Sequence, residues 1–301
     1  MKFVRNPLSP VFPDFVVQRR GGATIWIDHR CADRAFVDRL ANPDELFADP
    51  GCEIIKDQKK IKVGRVHMLI AGKARSLYVK RYNAFSMRYR LVSPFVASGA
   101  YRALRGAAIL RSAGILTAAP VAAVEHRRSR ALSKSFFISE EVAGGKTADD
   151  FWNKPLAELT GREGIRLRRR FLSELAALFR SLHAQQIYHN DLKDANILVV
   201  SGRSDLRFGF FLLDLEGVRR VPCLSAKRKI KNLVQLQRTL GRYLRVTDQL
   251  FFLKHYLGAE FTDRETQRHW IASVMSESRR LDDIKGRMNK AVAKPNPVHD
   301  A

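Results

Sequence analysis

A polar octapeptide, HNDLKDAN at residues 189–196, is held between Ile187-Tyr188 and the apolar run ILVV at 197–200. Carboxylates and amides buried without partners are costly, so a segment anchored this way is a loop with a task. Within it Asp191, Lys193 and Asn196 stand at offsets zero, two and five. Eighteen residues past Asn196 a second acid, Asp214, ends another apolar run in FFLLDLEGVRR. Two apolar strands that each deliver a polar end read as a β-hairpin holding Asn196 and Asp214 close together. Any fold assigned to this chain must bring these two loops to one place.

The set meets the requirements of phosphoryl transfer from ATP. An acid must orient the attacking hydroxyl and receive its proton, a role for Asp191, and a cation such as Lys193 must neutralise the γ-phosphate. An amide and a carboxylate, Asn196 and Asp214, must hold Mg2+ across the phosphates.

Around these motifs the chain divides in two. ATIWI at 23–27 reads as a strand, and FVDRLANPDELFADP as a short helix broken by Pro43 and Pro50. The stretch from Cys52 to Tyr82 alternates β-branched and polar residues around an Ala-Gly-Lys turn and predicts three antiparallel strands. Residues 98–114 predict a helix ended by Gly114, and VAAVEH and SKSFFISEEV two further strands. The first 141 residues therefore predict a sheet of about five strands carrying one helix. AGGKTADD at 143–150 suits a hinge. Beyond it Leu167, Phe171, Leu175, Leu178 and Leu182 mark one face of a long helix ending near Gln185. Leu233, Leu236, Leu240 and Leu244 predict a second. The tail AVAKPNPVHDA reads as frayed.

The two loops resemble those of the protein-kinase-like superfamily, whose catalytic loop is His-Arg-Asp-Leu-Lys-x-x-Asn and whose metal loop is Asp-Phe-Gly. His189, Asp191, Lys193 and Asn196 match position by position, with Asn190 in place of the arginine. Asp214-Leu215-Glu216 stands in for Asp-Phe-Gly. The resemblance implies an α+β, bilobal fold: a small antiparallel-sheet N-lobe with one helix over 1–141, and a mainly helical C-lobe over 142–301. It implies a nucleotide lysine on the third strand of the first lobe, where SLYVKRY offers Lys80, with Arg81 pointing to the opposite face. It assigns Glu140 and Val142, just before the hinge, to the nucleotide as well, and makes His189 a packed residue that steadies the loops.

Two departures stand out. The Gly-rich phosphate loop is replaced by DQKKIKVGRV, so that Lys59, Lys60 or Lys62 would cover the phosphates. No Asp or Glu occurs between Asp57 and Glu125, so the helix at 98–114 has no glutamate for Lys80, and Ala103 or a neighbour occupies its place. Asp214, Glu216 and Glu125 remain as partners, with Asp214 favoured because it already faces the phosphates.

Within the superfamily the chain resembles the lipopolysaccharide kinase family, the Kdo and heptose kinases of the bacterial inner core. The similarity is carried over about residues 50–260 by YVKRY, YRALRGAAILRSAGILTAAPVA, NDLKDANILV, LLDLEGVRR and KRKIKNLVQLQRTL leading to LFFLKHYLG. It implies ATP and Mg2+ as cofactors and a sugar hydroxyl of the nascent core, or a related anionic glycolipid, as acceptor. It also implies a cytoplasmic enzyme lying peripherally on the inner face of the inner membrane.

Charge bears on the acceptor. The chain carries 54 Lys and Arg against 30 Asp and Glu, a net +24, which calls for a polyanionic partner. Nine basic residues (Arg219, Arg220, Lys227, Arg228, Lys229, Lys231, Arg238, Arg242 and Arg245) follow the metal loop without one acid among them. That placement favours an anionic glycolipid or phospholipid surface over a neutral peptide. Arg166, Arg168, Arg169 and Arg170 offer a second patch. No aromatic-rich platform for single strands is visible, which disfavours nucleic acid. The three cysteines lack Cys-x-x-Cys spacing and indicate neither a zinc site nor a disulfide framework. Prolines interrupt the N-terminus, making it a poor signal peptide, and no apolar run reaches the ~18–20 residues of a spanning helix.

Other readings stay open. A small-molecule kinase or a protein kinase of the same superfamily would share the motifs, although no Ala-Pro-Glu follows Asp214. A pseudokinase that binds anionic surfaces or nucleic acid is favoured by the missing glutamate and opposed by the complete Asp191, Lys193, Asn196 and Asp214 set.

Overall fold

The computed structural model describes residues 12–83, 93–128, 131–202 and 207–292; of the tail expected to fray from Ala291, Ala291 and Val292 still belong to a helix and the rest lies outside the described residues. Seven antiparallel strands form one sheet: β1 (Phe15–Arg20), β2 (Ala23–Asp28), β3 (Glu53–Asp57), β4 (Ile61–Ile70), β5 (Lys73–Asn83), β6 (Pro120–Arg128) and β7 (Ala131–Glu140). Their order is β1-β2-β6-β7-β5-β4-β3. This is more than the five or so strands predicted. FVVQRR ends in a polar triplet and resembles a tail, and only its pairing with β2, from Phe15 opposite Asp28 to Arg20 opposite Ala23, makes it a strand. Gly21 and Gly22 permit that hairpin, both lying at positive φ (+52° and +78°) as a two-residue turn demands.

One face of the sheet buries Ile25, Ile27, Leu77, Val79, Val124 and Phe136 against Phe36, Val37 and Leu40 of α1 (Arg34–Leu40). The other receives α2 (Gly99–Ser112), which packs on β5, β6 and β7. Ser98 caps α2 by accepting from Tyr101 N at 3.0 Å. At the far end Gly114 takes positive φ, so that Ile115 N donates to Leu110 O at 2.9 Å and closes the helix. Because side chains alternate along β5, Leu77 and Val79 go to the outer core while Tyr78, Lys80 and Tyr82 point the other way.

The remainder is mainly helical: α3 (Ala148–Asn153), α4 (Gly161–Ala184), α5 (Ala226–Gln237), α6 (Val246–Leu257) and α7 (Arg264–Val292). The apolar stripe of α4 is buried at Leu167, Phe171, Leu175 and Leu182, and Phe179 meets Phe252 of α6 with ring centroids 5.7 Å apart. The predicted second helix is cut short. It ends at Gln237, and Leu240 sits in a 3-10 turn (Leu240–Tyr243). The cause is Thr239, whose hydroxyl donates to Gln235 O at 3.0 Å while its backbone leaves the helical region. Leu240 is nonetheless fully buried, so the apolar spacing is satisfied by packing without a continuous helix.

Three short pairings build the loops between sheet and helices. β10 (Ile197–Ser201) lies between β11 (Phe208–Leu212) and β8 (Lys146–Thr147), and β9 (Ile187–His189) pairs with β12 (Val218–Arg220).

Candidate active site

The β10–β11 hairpin places Ile197 opposite Leu212, and Leu213 N donates to Asn196 O at 2.9 Å. Asn196 and Asp214 therefore come off the same end of one hairpin. The adjoining β9–β12 pair sets His189 opposite Val218. His189 is fully buried, with Nε2 2.8 Å from Leu213 O and Nδ1 3.2 Å from Asp191 N. A carbonyl on one side and an N–H on the other admit a single neutral tautomer, protonated at Nε2, and burial pushes the pKa down. This imidazole thus ties the catalytic loop to the metal-loop strand. Asp191 is held in turn: Lys193 Nζ donates to Oδ2 at 2.7 Å, and Asn196 Nδ2 donates to its backbone O at 2.7 Å and to Oδ2 at 3.0 Å.

Lys80 faces these loops from the sheet. Its ammonium is ion-paired with Asp214 and lies 3.1 Å from Glu216 Oε2. Burial works against the charged amine, yet Glu216 and Asp214 outweigh it and hold the pKa above that of an ordinary lysine. Burial also opposes ionisation of both acids. Lys80 overcomes it for Asp214, which is pushed down, whereas Glu216, with the Asp214 charge beside it, is pushed up. Glu125 is not a partner: it is buried on β6 against Arg127 at 2.9 Å. Arg81 turns to the outer face, where it meets Asp44 at 2.8 Å.

Lys80, Glu140, Val142, Lys193, Asn196 and Asp214 all line one cavity of about 610 Å³, and Asp191 is bonded to two of them. Ile61, Val63, Phe137, Leu198 and Leu212 give the cavity an apolar lining. The Glu140 carboxylate is ion-paired with Arg75, and Val142 O accepts from Gly145 N at 3.0 Å. The segment that replaces a Gly-rich loop is a tight turn over Lys59 and Lys60, closed by Gln58 N to Ile61 O at 2.9 Å. Both tip carbonyls accept from Asn83, at 3.0 Å each. Lys62 does not serve the cavity, because it pairs with Asp57 at 2.9 Å and lies over the Phe47 ring. Lys56, one strand over, lines the cavity instead. A bulge in β3 between Ile54 and Lys56 shifts the alternation there, so strand parity alone could not reveal it.

Among the described residues no cluster of three or more His, Cys, Asp or Glu side chains could hold a metal alone. A Mg2+ carried in by phosphates needs less, one or two oxygen ligands from the protein. Asn196 and Asp214 fit that requirement. The Asn196 NH2 is spent on Asp191, leaving its carbonyl oxygen as a ligand, and Asp214 already accepts one cation, the Lys80 ammonium.

With this geometry in hand, comparison with known proteins is decisive. A family model described as Lipopolysaccharide kinase (Kdo/WaaP) family matches residues 53–269. The chain belongs to that family. It is a kinase, and the solved structure of WaaP in complex with acyl carrier protein shares its protein-kinase-like fold. That match has a TM-score of 0.57 at 22% identity, over 81% of this chain and 96% of WaaP. No curated protein matches the sequence.

This kinase has a brace that the sequence pattern did not reveal. Asn232 and Gln235 of α5 bind the backbone of the catalytic loop: Asn232 Nδ2 donates to His189 O (2.6 Å), Gln235 Nε2 to Asn190 O (2.7 Å), and Gln235 Oε1 accepts from Leu192 N (3.0 Å). The available signal was two amides three residues apart, Asn232 and Gln235, on one face of the helix. Behind them His183 joins α4, α5 and α6, with Nε2 3.2 Å from Asn232 Oδ1 and Nδ1 2.8 Å from the Tyr256 hydroxyl. Burial pushes the His183 pKa from 6.5 to about 4. The unfolded chain therefore takes up a proton that the folded chain refuses. Stability is complete above pH 6.5, falls as pH drops toward 4, and should be about 2 kcal/mol lower from this group by pH 5. Urea melts at pH 7.5 and 5 should show the loss, and His183→Gln should flatten it; an equal slope in the variant would remove His183 as its source.

The basic residues divide by environment. Lys231 Nζ donates to Asn190 Oδ1 at 3.2 Å, and Arg228 and Lys231 both lie over the Tyr188 ring, so this part of the cluster adjoins the catalytic loop. Arg238 instead pairs with Asp282 of α7 at 2.6 Å. The expected second patch on α4 is largely occupied: Arg168 donates to Leu156 O and Leu159 O, Arg170 pairs with Glu174, and Arg169 lies over Phe251. Among the described residues no helix is long and apolar enough to cross a membrane.

Proposed function

We propose that this kinase transfers the γ-phosphate of ATP to a sugar hydroxyl of the lipopolysaccharide inner core, on heptose or Kdo, or of a related anionic glycolipid. We propose further that it does so on the inner face of the inner membrane. The observation that carries the reading is the gathering of Lys80, Lys193, Asn196 and Asp214 around one cavity, with Asp191 bonded at its edge. Asp191 orients the acceptor hydroxyl and receives its proton, Lys193 meets the transferred phosphoryl group, and Lys80 holds the nucleotide phosphates. Asn196 and Asp214 would hold Mg2+, which when bound neutralises phosphate charge. The apolar lining of the cavity suits a flat base.

The acceptor class is supported by charge. Arg228 and Lys231 sit beside Asn190, next to Asp191, where an acceptor must arrive. Neutralising Lys227, Arg228, Lys229 and Lys231 together should raise KM for an anionic acceptor far more than KM for ATP and weaken binding to acidic liposomes. Each such residue contributes on the order of 1 kcal/mol at a charged surface, and added salt should mimic the change. Equal effects on both substrates would mean that the cluster serves only the fold. The function itself is tested by phosphate transfer from ATP to a panel of dephosphorylated core oligosaccharides, with aminoglycosides and peptides as competing classes. Turnover confined to the latter would overturn the reading, and MgATP binding without any turnover would favour a pseudokinase.

A further inference from the structure

Protein kinases position the phosphate-binding lysine with a glutamate from the helix packed on the sheet. Here α2 supplies no acid at any position. We propose that Glu216, on the metal-loop turn, is the positioning residue for Lys80, and that the small-residue face of α2 is shaped to admit that turn. The proposal rests on the phosphotransfer reading above and deepens it.

Three observations carry it. Glu216 is gripped by two residues of the same strand face: Lys80 Nζ lies 3.1 and 3.4 Å from its two oxygens, and the Tyr82 hydroxyl donates to Oε2 at 2.9 Å. Space is reserved for the turn. A Cβ on Gly106 of α2 would fall 2.2 Å from Leu215 O, and one on Gly99 would fall 2.6 Å from the Tyr82 ring. Neither position tolerates a larger residue without moving the turn or Tyr82, so this face of the helix is small enough to admit an acid supplied by the loop. The backbone completes the arrangement. Asp214 adopts the left-handed conformation (φ +59°, ψ +52°), after which Leu215 is buried against the core and Glu216 returns to β5.

The division of labour follows from charge. Asp214 is claimed twice, by Lys80 in the empty cleft and by a metal ion in the loaded one. A second acid that keeps Lys80 frees Asp214 for the metal. Because both acids belong to the metal loop and Lys80 to the sheet, the pair forms without any displacement of α2.

The test is the Mg2+ dependence of ATP binding to the full chain, followed by fluorescence titration without acceptor, so failure of the sugar assignment does not affect it. Glu216→Gln keeps the side-chain volume and removes the charge. Lys80 then competes with Mg2+ for Asp214, and the Mg2+ midpoint should rise about tenfold, within the range of coupling between contacting charges. In the metal-free chain, Lys80 should be acylated severalfold faster in Glu216→Gln than in wild type. An unchanged midpoint in Glu216→Gln, or acylation of Lys80 no faster than in wild type, would overturn the proposal. Should Glu216→Gln melt well below the wild type, Glu216→Asp, with a shortened reach and an intact charge, must give an intermediate midpoint for the proposal to stand.

Discussion

Asp191→Asn is expected to cut phosphoryl transfer by about 10²- to 10⁴-fold, the usual worth of a general base, while MgATP still binds. The carboxylate of Asp191 accepts from Lys193 at 2.7 Å and from Asn196 at 3.0 Å. An amide in its place keeps the volume and can still accept from both donors through its one oxygen, but it cannot take a proton. Lys80, the other side of the phosphate site, is untouched. Single-turnover transfer and nucleotide titration on the same preparation separate the two effects. Near-normal transfer would remove Asp191 from the mechanism, and equal loss of ATP binding would recast it as a structural residue of the loop.

Asp214 should give the second large effect, and the choice of substitution matters. Its backbone lies at φ +59°, a region that Asn tolerates far better than Ala. Asp214→Asn therefore isolates charge from backbone strain. The variant should lose most of the Mg2+-dependent gain in ATP affinity, and transfer should fall by about 10²- to 10³-fold, as when a preorganised electrostatic stabiliser is removed. Lys80 keeps Glu216 at 3.1 Å, so the cleft should stay assembled and metal-free ATP binding should change little. A variant whose ATP affinity still responds fully to Mg2+ would exclude Asp214 as a ligand.

How much was legible in advance differs by the range of the interaction. The catalytic and metal loops, the three central strands and the long helix α4 are written in local pattern: polar residues at fixed offsets, alternation with period two, and a stripe at three- and four-residue steps. The superfamily resemblance rests on the two loops, whose residue types phosphoryl transfer demands, and the family resemblance also on flanking segments such as YVKRY and KRKIKNLVQLQRTL. The choice of Lys80 over Arg81 for the cleft was likewise a matter of strand parity, and the structure turns Arg81 outward to Asp44.

The remaining features depend on partners far apart in the chain. Strand β1 exists because β2 pairs with it. Leu240 completes an apolar face although Thr239 has ended the helix, since burial requires position and not continuous hydrogen bonding. Lys62, one of the lysines expected over the phosphates, pairs with Asp57, while Lys56, beside a bulge in β3, lines the cleft. The amides of α5 reach the catalytic loop 43 to 45 residues away. Residue order sets which chemical groups are present and which lie on one strand or helix face. Whether Lys80 would meet Asp214, Glu216 or Glu125 was a question of distance across 134 or 136 residues of chain on one side and of sheet order on the other. Pairing between charges depends on separation in space, and that separation is set by how closely Gly106 lets the metal-loop turn approach α2.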